Sequence, residues 1–125
     1  MTPLSVLPLL VMSSYPYSNF LPAFDNITYG PLEPFAHIDP GMRALERERE
    51  GKDPLEFLAG AQISPLTPAL GDEVDGVDLC SLDSNGRDQL ALQVARRGLL
   101  VFRNQEKFLS KNAEWFKSWG THFGR

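Results

Sequence analysis

The sequence predicts an α+β domain over residues 61–125, preceded over residues 1–60 by an extended, proline-rich arm with one short charged helix. Three observations lead there. Eight of the ten prolines fall in the first 54 residues, so a packed core belongs to the second half. From Ala61 onward the apolar residues fall first into short strand-like runs and then into helical spacing. Finally, Leu99-Leu100-Val101-Phe102 is a continuous apolar run bounded by Gly98 and Arg103, the pattern of a strand buried on both faces.

Taken in order, residues 15–41 hold aromatics and prolines without a period of two or 3.6, which predicts an irregular arm. Residues 42–50, MRALERERE, predict a short helix with Asp39 as N-cap, Pro40 at its first position and Gly51 as its stop. Charge nearly all round this helix makes it a solvated linker element. Residues 62–66, QISPL, predict a strand that Pro65 assigns to a sheet edge. Gly71-Asp72 offers a turn, and EVDGVDL (73–79) follows as a second strand with a bulge or close backbone approach at Gly76. Residues 86–97, GRDQLALQVARR, predict a helix capped by Ser84 or Asn85, with Arg96 and Arg97 at its negative end and Gly98 as its stop. The buried strand comes next, and then a helix over about 110–122 with Trp115, Phe116 and Trp119 on its apolar side.

Bulk properties exclude several classes. A formal charge of −4 and a pI near 5.1 argue against a nucleic-acid partner, which demands a basic face. Cys80 is the single cysteine and cannot form an internal disulfide, so nothing points to an oxidising compartment. The apolar start, MTPLSVLPLLVMSS, has no positive residue before Arg43, is broken by Pro3 and Pro8, and is too short to span a bilayer. The expected location is cytoplasmic, with no membrane partner.

ISPLTPALGDEVDGVDL, RDQLALQVARRGLLVFRNQ and WFKSWGTHFGR, in this order and spacing, resemble the opening of taurine dioxygenase-like proteins. The upstream PLEPFAHIDPGMRA resembles the arm that precedes this domain in the fungal version, so the resemblance covers about residues 15–125. It implies a partial double-stranded β-helix (jelly-roll) of the clavaminate synthase-like type. It also implies an oxygenase using iron(II) and 2-oxoglutarate, acting on a sulfonate or comparable acidic substrate that then loses sulfite. In that family a His-x-Asp/Glu pair and a distant His hold the metal, and a further Arg anchors 2-oxoglutarate. The pair follows the His-Phe-Gly-Arg turn on which this chain stops. No iron ligand, 2-oxoglutarate Arg or substrate-binding His of the family therefore maps onto a residue here, and the expected catalytic, cofactor and metal residues are none.

Several residues nonetheless invite a chemical reading. His37-Ile38-Asp39 is a His-x-Asp word and His122 would complete a triad, yet His37 sits in the arm and Asp39 is needed as a helix cap. Arg125 follows His122 too closely to match the family's anchor. His122 reads as a surface or packing residue, Cys80 as a small buried side chain, Trp115 and Trp119 as core, and Arg96-Arg97 as helix capping. Three function classes follow. The first is an inactive N-terminal fragment of a dioxygenase, binding neither iron nor 2-oxoglutarate by itself. The second is an interaction module that pairs with itself or with a full-length homologue through an exposed strand edge. The third is a small metal protein built on His37, Asp39 and His122.

Overall fold

A computed structural model describes residues 30–124, so the apolar start and most of the arm lie outside the described residues. The chain divides into two units, Met1–Pro34 and Phe35–Arg125. Residues 30–34 of the first are exposed and without regular structure. The second runs α1 (Pro40–Arg49), β1 (Gln62–Pro65), β2 (Asp72–Asp75), α2 (Ser84–Arg97), β3 (Leu100–Phe102), α3 (Glu106–Leu109) and α4 (Ala113–Gly120). Short 3-10 turns at Glu56–Leu58 and Leu79–Ser81 precede β1 and α2. The architecture is α+β, with helices around a three-stranded mixed sheet of order β1-β2-β3.

Helix α1 starts where its residues dictate. The Asp39 carboxylate accepts from Gly41 N at 2.7 Å, Pro40 occupies the first turn, and Gly51 ends the helix at φ 92°. It is not, however, a solvated linker. Ala44 is 2% exposed, and a Cβ on Gly41 would stand 3.4 Å from the Leu92 backbone of α2. The small residues Gly41 and Ala44 let α1 lie close against α2, so the charges of α1 are sorted by face rather than spread around it.

Strands β1 and β2 pair antiparallel from Gln62↔Asp75 to Pro65↔Asp72, with β1 at the sheet edge where its proline costs no ladder bond. Strand β2 stops at Asp75, short of the span to residue 79, because Gly76 turns the chain at φ 99°. Helix α2 begins two residues before its predicted start and takes Asp83 as cap, the carboxylate accepting from Gly86 N at 2.7 Å. It connects β2 to β3, which pair in parallel with Asp72↔Leu100, Glu73↔Val101 and Val74↔Phe102 in register. The strand predicted to be buried on both faces is instead half-buried, since β3 lies at the other edge of the sheet. The fully buried position is Val74 on the central strand, packed with Leu58 and Val77 and flanked by Phe57, Ala61, Leu82 and Phe102.

The aromatic helix begins later than expected. Asn112 caps a new helix by accepting from Trp115 N at 2.9 Å, which separates α4 from the single turn of α3. Phe108 of α3 folds back onto it, with ring centroids 5.3 Å from Trp115 and 5.2 Å from Trp119.

Two glycines end helices with different tolerances. A Cβ at Gly98 (φ 77°) would stand 2.4 Å from Leu70 Cδ1, whereas one at Gly51 would meet nothing within 4 Å. We expect Gly98→Ala to cost about 2–3 kcal/mol in urea unfolding, against about 1 kcal/mol for Gly51→Ala, which carries the left-handed penalty alone.

Candidate functional site

The strongest concentration of charge gathers on one carboxylate. Arg43 and Arg47 stand four residues apart on α1 and so share a face, which α1 turns toward α2. There they meet Asp88, whose side chain is 3% exposed. Arg43 binds it in fork geometry, Nε to Oδ2 at 3.1 Å and the terminal NH2 to Oδ1 at 2.7 Å. Arg47 adds a bond to Oδ2 at 2.8 Å. From beyond α4, His122 Nε2 lies 2.8 Å from Oδ1, and since a carboxylate only accepts, the ring donates. Burial works to raise the Asp88 carboxyl, but the bonds from Arg43, Arg47 and His122 outweigh it and hold the group below the usual aspartate range. Arg43 is correspondingly held more firmly in its charged form by its bond to Asp88.

This node decides where the candidate ligands stand. His122 is neither a plain surface residue nor the partner of His37. It is a third tie on Asp88, joining the segment after α4 to the α1–α2 layer. His37 is exposed, its ring 6.3 Å from that of Phe35, and Asp39 is engaged as the α1 cap. Among the described residues no group of three or more His, Cys, Asp or Glu side chains could hold a metal. Two guanidinium groups beside the contact of His122 with Asp88 make that place repulsive to a cation, so these residues do not fit an iron(II) site. Cys80 is half-buried rather than buried, in a turn where Asp78 Oδ1 accepts from its backbone N–H at 2.9 Å.

Arg96 and Arg97 also do more than cap. Arg96 pairs with Glu48 of α1. Arg97 donates to Asp72 Oδ1 at 3.0 Å and to the carbonyls of Thr67, Pro68 and Gly71, closing the loop between β1 and β2 onto the end of α2. Two glutamines were invisible as organisers in the sequence. Gln89 accepts from Phe57 N and donates to Asp53 O, while Gln105 accepts from Leu79 N and donates to Val77 O. Each ties an irregular segment to a neighbouring element.

The other distinctive surface is apolar. Leu90 and Val94 of α2, Leu100 and Phe102 of β3, Phe108 and Trp119 line a groove of about 480 Å3. Beside it runs the outer edge of β3. Asp72 N donates to Leu99 O and Arg103 N to Val74 O, both at 3.0 Å, so those main-chain groups face β2. By the alternation of a parallel ladder, the N–H and C=O of Leu100 and Phe102 face away from the sheet. Trp119, on the groove wall, carries a buried Nε1 with no hydrogen-bond partner among the described residues. No helix of the described residues is long and apolar enough to cross a membrane.

No family model matches the chain, and no solved structure matches it significantly. Curated proteins do. The chain is 36% identical over 110 residues to an alpha-ketoglutarate-dependent sulfonate dioxygenase of Saccharomyces cerevisiae, a match covering 87% of this chain and 26% of that protein. It is 38% identical over 114 residues to the alpha-ketoglutarate-dependent dioxygenases cnsM and cnsP of Penicillium expansum, covering 86% of this chain and 29% and 28% of those proteins. The chain thus spans little more than a quarter of the length of these relatives. Across nearly its whole length it belongs to the taurine dioxygenase-like family of alpha-ketoglutarate-dependent dioxygenases.

Proposed function

We propose that this chain is the N-terminal, non-catalytic part of an iron(II)- and 2-oxoglutarate-dependent dioxygenase acting on a sulfonate or similar acidic substrate. In this reading it forms the outer layer on which the catalytic jelly-roll is completed. The carrying observation is the apolar groove beside the open edge of β3, where further strands of the domain would pair with Leu100–Phe102 and cover Phe102, Phe108 and Trp119. The relatives have the length for this, since the matched segment is about a quarter of each. Metal and cosubstrate would bind the remainder of the domain, and no step of the reaction falls to a residue of this chain. A cytoplasmic setting accords with the lone Cys80.

The test is a chimera in which this chain replaces the matching segment of the Saccharomyces relative, assayed for sulfonate-dependent conversion of 2-oxoglutarate to succinate. The chimera should turn over and the isolated chain should not. In the chimera, Phe102→Lys should reduce turnover about tenfold or more, because an unpaired charge in a covered apolar site is strongly unfavourable. A folded but inactive chimera, or cosubstrate consumption by the isolated chain, would refute the proposal.

The same open edge favours a second reading, in which the chain pairs in trans with a full-length homologue by strand addition. Co-expression with such a homologue and purification through a tag on this chain separates the two, since only the second gives a stable complex.

A further inference from the structure

Of the asparagines in the chain, only Asn85 is followed by glycine. In an open chain that pair is chemically labile, because glycine has no Cβ to shield its backbone nitrogen from the preceding side-chain amide. Packing favours the glycine. Gly86 is buried, and a Cβ there would stand 3.2 Å from Leu82 Cδ2 and 3.3 Å from Asp83 Oδ1, so a larger residue would have to displace them. The labile pair therefore comes with the fold.

The folded chain withholds what the reaction of that pair needs. Its nucleophile is the Gly86 backbone nitrogen, whose N–H is donated to Asp83 Oδ1 at 2.7 Å. Asn85 and Gly86 lie in the first turn of α2, and the backbone rotation at Asn85 that ring closure requires would break the helix. Asn85 Oδ1 is buried, so bulk water has no approach to that carbonyl. The fastening is local, however. Asp83 and Ser84 are exposed, and Asp83 holds the turn through its cap bond and through Arg87 N, which donates to Asp83 O at 3.0 Å. Helix ends held in this way open at free energies well below that of global unfolding.

We propose that Asn85-Gly86 is a masked deamidation site, kept unreactive by the Asp83 cap and converted to isoaspartate once the first turn of α2 opens. In the open turn the Gly86 nitrogen gives its proton to solvent base and attacks Asn85 Cγ. The Cγ–N bond of the side-chain amide breaks, the nitrogen leaves as ammonia, and a cyclic imide closes. Water then opens the ring. Attack at the Asn85 backbone carbonyl carbon breaks its bond to the Gly86 nitrogen, so the chain runs on through Cβ and Cγ as isoaspartate. Attack at Cγ gives aspartate instead. The sum is amide plus water to acid plus ammonia, with no oxidant or reductant. An isoaspartyl backbone is longer by a carbon, which the helix cannot absorb. The cap cannot re-form on Gly86, and Asp88 loses the helical frame that sets it among Arg43, Arg47 and His122. A transient opening thus becomes permanent. The reaction needs only water and does not depend on how the rest of a dioxygenase domain is completed.

The test incubates the full chain in mildly alkaline buffer, native or in urea, and follows it by peptide mass mapping and by labelling with an isoaspartyl methyltransferase. The peptide holding Asn85 should gain the mass of the amide-to-acid change in urea, and should gain it about tenfold more slowly, or slower still, in the native chain. Isomerisation at Asp75-Gly76 changes no mass, so the two readouts keep the sites apart. Asn85→Ser, which cannot form the ring, should show no gain at residue 85. Asp83→Ala should raise the native rate several-fold, whereas Asp83→Ser keeps a cap and should stay close to the native chain. Thermal melts show which variants remain folded, and the comparison of native with urea-treated chain decides the masking even if Asp83→Ala unfolds. Chain carrying isoaspartate should melt below fresh chain. Equal rates in buffer and urea, no gain in urea, a folded Asp83→Ala that reacts no faster, or an unchanged melt of the isoaspartyl chain would each overturn the proposal.

Discussion

Asp88→Ala is expected to lower the free energy of unfolding by about 3 kcal/mol, near the lower end of the range for breaking a buried ion pair. The carboxylate is the common partner of Arg43, Arg47 and His122, so one substitution removes every tie at the node. The cost stays near the lower end because the two arginine side chains are 35% and 32% exposed and can turn toward water once released. His122, with a side chain 11% exposed, has less freedom and should lose its place. Asp88→Asn should also destabilise, since an amide offers one acceptor oxygen and turns a donor toward other donors. The pH dependence supplies a second readout. The folded-state carboxyl is held below its unfolded value, so its contribution is fully present above the unfolded range, about 3.9. It is lost as pH falls through the lowered folded value. The stability difference between the native chain and Asp88→Ala in urea unfolding should therefore be constant near neutrality and shrink below about pH 4. A difference that persists undiminished at strongly acid pH would show that the node is not ionic.

How much of this was legible in the sequence depends on how local each cause is. Asp39, Pro40 and Gly51 fix α1 through bonds spanning two to four residues, and a reader of the sequence can place them. Pro65 announces a sheet edge for the same reason, through a donor it lacks. The family words were legible too, because they are strings rather than contacts. The Asp88 node was not, since Arg43 and Asp88 are 45 positions apart and meet only once α1 lies on α2. The i, i+4 spacing of Arg43 and Arg47 was the available signal, marking two cations on one helix face. It was obscured by the glutamates between and beyond them, which made the helix look uniformly charged. Asn112 hid as a cap because the apolar stripe of Trp115, Phe116 and Trp119 extrapolates smoothly upstream. The roles of Gln89 and Gln105 rest on backbone groups of irregular segments, which no periodicity reports.

Val74→Asp is expected to unfold the unit outright, while Val101→Asp should be tolerated far better. Sequence reading favours the opposite order, because Val101 stands in the most apolar run of the chain and Val74 sits among acids in Asp-Glu-Val-Asp. Topology reverses it. Strand β2 is central, flanked by β1 and β3, and Val74 is 0% exposed among Leu58 and Val77, with Phe57 and Phe102 packed around them. Val101 lies on an edge strand and is only half-buried. A carboxylate at position 74 would be enclosed by apolar side chains with no cationic partner, and either the ionised or the protonated form there costs several kcal/mol. That cost is comparable to the whole stability of a small domain, about 0.05–0.15 kcal/mol per residue. At position 101 the new carboxylate can reach water, so about 1–2 kcal/mol of lost apolar burial is the expected cost. Amide dispersion and a cooperative urea transition should survive in Val101→Asp and vanish in Val74→Asp. If both variants unfold, β3 is covered more deeply than a sheet edge allows. If both persist, the Leu58–Val74–Val77 cluster is not the centre of the core.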